Sequence, residues 1–224
     1  MVDMNQWKSI CNVDKTMLLE SNFKINVIGR NRKLVYGAGV NDVDYCTQPK
    51  IDGKQVMCPA YRAWKGMLQR KKKKKYHAMY QTYVGVVVCN EWLNLSSFRN
   101  WWLANQVDGW QLDKDILSDD GVYSPNGCLF VPAWLNSFTL SNSPARGEFP
   151  IGVSFHNRDG IFMARCRNPM ACRDEYLGHF DDPYDAHIAW LTRKLALALE
   201  MKPKMDDIDL RIYPRVVEII RSAT

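Results

Sequence analysis

No apolar run in this chain reaches the roughly 18 residues that a membrane-spanning helix needs. The longest, over 84–89, reads as a buried strand. The opening "MVDMNQWKSICNVDK" lacks the basic-then-apolar order of a secretion signal. A soluble intracellular protein with no membrane partner is therefore expected. There is no CxxC pair and no internal repeat. The seven cysteines (Cys11, Cys46, Cys58, Cys89, Cys128, Cys166 and Cys172) are odd in number and widely spaced. That argues against a disulfide framework and gives a zinc knuckle no support. A zinc site assembled in space from Cys46, Cys58, Cys89 and Cys128 stays open, beside the plainer reading of each thiol as a small buried hydrophobe.

Aromatics are abundant. Eight tryptophans stand in 224 residues, and 46% of the chain is hydrophobic, which supports a packed core and argues against wholesale disorder. The net charge of +6 is modest and suits an anionic partner without requiring one. Its distribution says more. Residues 70–75 read "RKKKKK", and Arg158, Arg165, Arg167 and Arg173 cluster further on.

The chain divides into a 1–35 segment without a usable motif, an aromatic-rich 36–140 region, a polar linker "SNSPARGEFP" over 141–150, a compact 151–200 region, and a 201–224 tail with a short helix "RVVEIIRS". In the second region, "CPAYRAWKGMLQR" places Tyr61, Trp64, Met67 and Leu68 at helical spacing behind Pro59, and the lysine run extends the helix end. "TYVGVVVCNEW" predicts a strand over 82–92, and "SSFRNWWLANQ" a serine-capped helix over 96–106. The 151–200 region alternates with period two. Val153, Phe155, Phe162, Ala164, Cys166 and Leu177 are expected inward, with His156, Arg165, Arg167 and Tyr176 outward. A helix follows from Asp181 or Asp182. An α+β fold is expected, ending in a sheet backed by one helix.

"GVSF…GIFMARCR…EYLGHFDDPYDAHIAWLTRKL" resembles an AP2 domain, a small DNA-binding module of plant regulators that also occurs in phage endonucleases. The resemblance implies a βββα or ββββα module whose sheet enters the major groove of duplex DNA. It gives contact roles to His156, Arg165, Arg167 and Tyr176, with Arg158 in the adjoining turn. Arginine chemistry agrees, since its fork pairs bidentately with guanine or holds phosphate. Asp174 on the same face opposes phosphate. The plainer alternative is a solvated charged sheet face.

Upstream, "QLDKDILSDDGVYSPNGCLFVPAWLNSF" resembles the HNH family of ββα-metal nucleases, whose order with AP2 recurs in phages. The resemblance implies hydrolysis or nicking of DNA phosphodiesters with one Mg²⁺ or Mn²⁺. Asp113 and Asn136 would be the metal ligands, and Asn126 the brace of the loop. The 70–75 run (Arg70, Lys71, Lys72, Lys73, Lys74, Lys75) would hold backbone phosphate, or be a solvated helix end. The setting would be the cytoplasm of an infected bacterial host. Lys114 departs from the pattern, because it stands where the family has its histidine base. Lysine, with a reference pKa of about 10.4, is normally protonated and cannot take a water's proton. It could still hold phosphate. His77, His156, His179 and His187 all lie outside the motif, although His77 could swing in. Two readings follow: a working homing-type endonuclease, or a catalytically degenerate DNA-binding protein that regulates or inhibits a host defence complex. Plainer alternatives remain: a polar hairpin at "DKDILSDDG", an Asp113–Asp115 metal pair without cutting, or RNA binding by the basic sheet.

Overall fold

Pro59 supplies the fixed φ and missing N–H that suit a first helical turn, and a helix runs from it to Lys72. Its Trp64, Met67 and Leu68 are buried at the predicted spacing. The computed structural model describes residues 3–26, 33–72, 86–139 and 148–223. It divides into two units, Met1–Phe130 and Val131–Thr224. Lys73, Lys74, Lys75, His77 and most of the predicted linker lie outside the described residues.

In the first unit, α1 (Met4–Ser9) starts at Asp3, whose carboxylate accepts from the N–H groups of Asn5 and Gln6. Helices α2 (Asn12–Asn22) and α4 (Leu95–Asn105) both pack on α3 (Pro59–Lys72). Trp92 joins them, edge-on to Phe98 at 5.1 Å and accepting from Trp64 Nε1 at 2.7 Å through its carbonyl. The backbone passes close beneath α3 at Gly39, where a Cβ would fall 2.3 Å from the Leu68 side chain. Two expectations are corrected here. Of the predicted 82–92 strand, the described part holds only β3 (Val87–Val88), and Glu91–Leu93 is a 3₁₀ turn. Ser96 does not cap α4. Asn94 holds that position, while the Ser96 N–H donates to Asp42 at 2.8 Å.

The strands of the first unit are short. β1 (Lys50–Ile51) and β2 (Lys54–Gln55) form a hairpin. β4 (Gln111–Asp113) pairs with β6 (Leu129–Val131), and β5 (Val122–Tyr123) runs parallel to β3.

The second unit starts with α5 (Ala133–Thr139). An antiparallel sheet follows: β7 (Val153–His156), β8 (Ile161–Asn168) and β9 (Arg173–Phe180), in that order. Helix α6 (Pro183–Glu200) covers one face of it. Asp182 caps α6, accepting from the N–H groups of Tyr184 and Asp185. The tail adds α7 (Lys202–Asp206) and α8 (Ile212–Ser222), and α8 packs Ile212, Val216 and Ile220 into the core. The fold is α+β. No described helix is long and apolar enough to cross a membrane.

Candidate nucleic-acid interface

Strand pairing decides which side chains of the β7–β9 sheet share a face. His156 lies opposite Ile161, Arg165 opposite Tyr176, and Arg167 opposite Asp174. Positions 161, 163, 165 and 167 of β8 alternate with the buried Ala164, Cys166 and Asn168. His156, Arg165, Arg167 and Tyr176 therefore stand on the face opposite α6. Tyr176 is 54% exposed. Arg158 is in the β7–β8 turn, its side chain 90% exposed.

A register shift beside Ala164 and Arg165 leaves Leu177 without an opposite residue. This bulge puts His179 on the same face as Tyr176, with their rings 5.2 Å apart. Strict alternation separates residues 176 and 179, so no period-two pattern could find His179. Two acidic groups temper the face. Asp174 lies 3.6 Å from Arg167, and Asp159 Oδ2 lies 3.0 Å from His156 Nδ1. Exposed pairs of this kind contribute little and exchange readily for phosphate. Behind the sheet, Arg193 Nε of α6 donates to Glu175 at 2.5 Å, and that hydrogen bond helps hold the Glu175 carboxyl at about 2. Phe155 was expected inward. It is on the α6 side but 37% exposed, its ring packed at a tilt against Phe162 and Phe149.

In the first unit, β4 ends at Asp113, and the chain turns at once. Asp113 is buried, and its Oδ1 accepts from the N–H groups of Asp115 and Ile116, both at 2.8 Å. Burial pushes its carboxyl above the usual range, against the pull of those two hydrogen bonds. Lys114 is buried as well, 4% exposed; its Nζ donates to Asp115 and lies 5.9 Å from the Tyr123 ring centre. Tyr123 in turn accepts from Arg70 Nη1 at 2.9 Å. The structure thus gathers Arg70, Tyr123, Lys114 and Asp113 from one end of α3 and the strand ends. Cys128 sits in the same buried setting, its thiol pushed up to about 12.

One expectation about this turn does not hold. Asp113 and Asp115 do not share a face: the first is buried and the second has 63% of its side chain exposed. The loop is braced by Ser124, whose Oγ accepts from Gly127 N at 3.2 Å. Asn126 is exposed at the tip. Asn136 is half-buried on α5. The cysteines proposed for zinc do not converge: Cys58 Sγ sits with Tyr45 and Thr16 hydroxyls. Among the described residues no group of three or more His, Cys, Asp or Glu could hold a metal ion. The Asp113 turn fits a divalent cation poorly, since Oδ1 is spent on backbone N–H groups and an ammonium already stands beside the exposed carboxylate. Comparison with protein-family models, curated proteins and solved structures found no match.

Proposed function

We propose that this chain binds duplex DNA through the exposed face of β7–β9. The observation that carries the reading is the row of Arg165, Arg167 and Tyr176 with His179, standing clear of a sheet whose other face is covered by α6. A two- or three-stranded ribbon of this kind fits the major groove, where arginine reads guanine and clasps phosphate. The AP2-like pattern supports the same role. Fluorescence anisotropy with a labelled mixed-sequence duplex tests it. The double variant Arg165→Ala, Arg167→Ala should bind at least about ten-fold more weakly, the worth of two charge-assisted contacts. Unchanged affinity would overturn the reading. Competition with an RNA duplex separates DNA from RNA binding.

In the same proposal the HNH-like turn of the first unit serves as scaffold, and the chain acts as a non-cleaving DNA-binding regulator or as an inhibitor of a host defence complex. The Lys114 Nζ is engaged by the Asp115 carboxylate instead of being presented to a water as a base would be. The second reading is a phage-type HNH endonuclease working with Mg²⁺ or Mn²⁺. It is favoured by one observation, that Asp113 is anchored at Oδ1 by two N–H groups, as a carboxylate held in a fixed orientation would be. Supercoiled plasmid with either cation at low salt decides between the two. Nicked or linear product from the wild type, absent with Asp113→Asn, establishes the enzyme. Retained DNA binding without product establishes the scaffold.

A further inference from the structure

A cavity of about 410 Å³ opens in the second unit, lined by Trp134, Phe138, Arg167, Pro169, Cys172 and Lys194. Its volume falls in the range of small-molecule sites. Lys194 is the unusual member. It lies on the inner side of α6, only 9% exposed, with Nζ 3.7 Å from the centre of the Phe138 ring. Among the described residues no carboxylate pairs with it or draws on its charge. Burial holds its amine down to about 8. A lysine buried without a counter-charge is costly to keep, and ring contact offsets only part of that cost.

We propose that this cavity binds a small aromatic anion, a single ring carrying one carboxylate or phosphate group. The site's chemistry selects that class. Phe138 and Trp134 supply flat apolar walls for a ring. Lys194 supplies the missing half of an ion pair in a desolvated setting, where a charge-assisted hydrogen bond is strongest. Arg167 also lines the cavity as a second cation, and its exposed partner Asp174 lies 3.6 Å away. Neutral aromatics would leave Lys194 unpaired, and inorganic anions would leave the ring walls empty. The inference does not rest on DNA binding.

Titration of the full chain with phenyl phosphate, benzyl alcohol and inorganic phosphate, followed by calorimetry, reads the selectivity directly. Phenyl phosphate should bind at least about ten-fold more tightly than either, the worth of one charge-assisted hydrogen bond. Lys194→Met should remove that advantage and leave benzyl alcohol binding as it was. Equal affinities for the three probes, or a Lys194→Met chain that still prefers phenyl phosphate, overturn the proposal. A wild-type measurement guards against a variant that misfolds. After reductive methylation with ¹³C-formaldehyde, the Lys194 methyl resonance should shift with phenyl phosphate and stay put with benzyl alcohol. No shift with either probe overturns the proposal as well.

Discussion

Asp113 and Lys194 are both ionisable and both buried, and burial disfavours the charge of each, but only Asp113 has hydrogen-bond partners that offset it. Asp113 is met by two backbone donors, which offset part of the burial that raises its carboxyl. Asp113→Ala leaves the N–H groups of Asp115 and Ile116 without their acceptor. Urea unfolding should register a loss of about 1–3 kcal/mol. Asp113→Asn keeps an oxygen in place and should lose less, which makes it the cleaner variant for the nicking assay. Lys194 has no such answer. Its amine sits near 8 in the folded chain, against about 10.4 when unfolded. The unfolded chain therefore binds the extra proton between those values, and stability rises with pH across that window. Below pH 8 the full cost of roughly 3 kcal/mol is present. Lys194→Met should be more stable than wild type at pH 7, and the gap should close as pH rises from 8 to 10.5. A gap independent of pH would show that Lys194 is not the group responsible. The residue was visible in the sequence at the level of spacing: it follows Trp190 by four positions on the side of α6 that also carries Leu197 and Ala198. A lysine is expected to face solvent, so spacing alone does not mark it as buried.

Elements were legible where one face must be buried and the period is therefore forced. Helix α3 and the β7–β9–α6 order followed from Trp64, Met67 and Leu68 at 3.6 spacing and from the alternation of Ala164 and Cys166 with Arg165 and Arg167. Where the determinant is non-local, the sequence is silent. Val87 and Val88 pair in parallel with Val122 and Tyr123, far along the chain, so no local pattern marks where that strand stops. The bulge at Leu177 depends on how β9 meets β8. The Asp113 turn reads as a strand continuing through Asp115 until backbone donors are seen to bend it. Gly152 is a further case. Its φ is +83, and a Cβ there would lie 2.1 Å from Trp190. The strand entry and the α6 aromatic ring thus meet through a missing side chain. Gly152→Ala combines left-handed strain with a clash against a rigid ring, and should lower stability by at least about 2 kcal/mol. Gly160, also at positive φ but with open space around its Cβ position, should tolerate alanine with only the strain cost. Comparing the two variants by urea unfolding isolates the contact with Trp190.

At the scale of the whole molecule, the excess of positive charge is the one property that acts before any contact forms. The +6 chain carries Arg165 and Arg167 on a sheet face, and Arg70 with the lysines that follow it on α3. If the sheet face alone holds phosphate, few counterions leave the DNA and affinity should fall gently with salt. If the 70–75 run also lies on the backbone, the dependence should be steep, because log affinity falls with log salt in proportion to about 0.9 per phosphate neutralised. The two sources separate by mutation. Arg165→Ala with Arg167→Ala should reduce the slope by up to about 2. Replacing Lys71–Lys75 by glutamine in full should reduce it by a comparable or larger amount while leaving preference among duplex sequences unchanged, since phosphate contacts position and base contacts specify. A slope untouched by the lysine replacement would assign that run to solvent. The sheet would then be the whole of the interface, and any sequence preference would have to come from its two arginines, Tyr176 and His179.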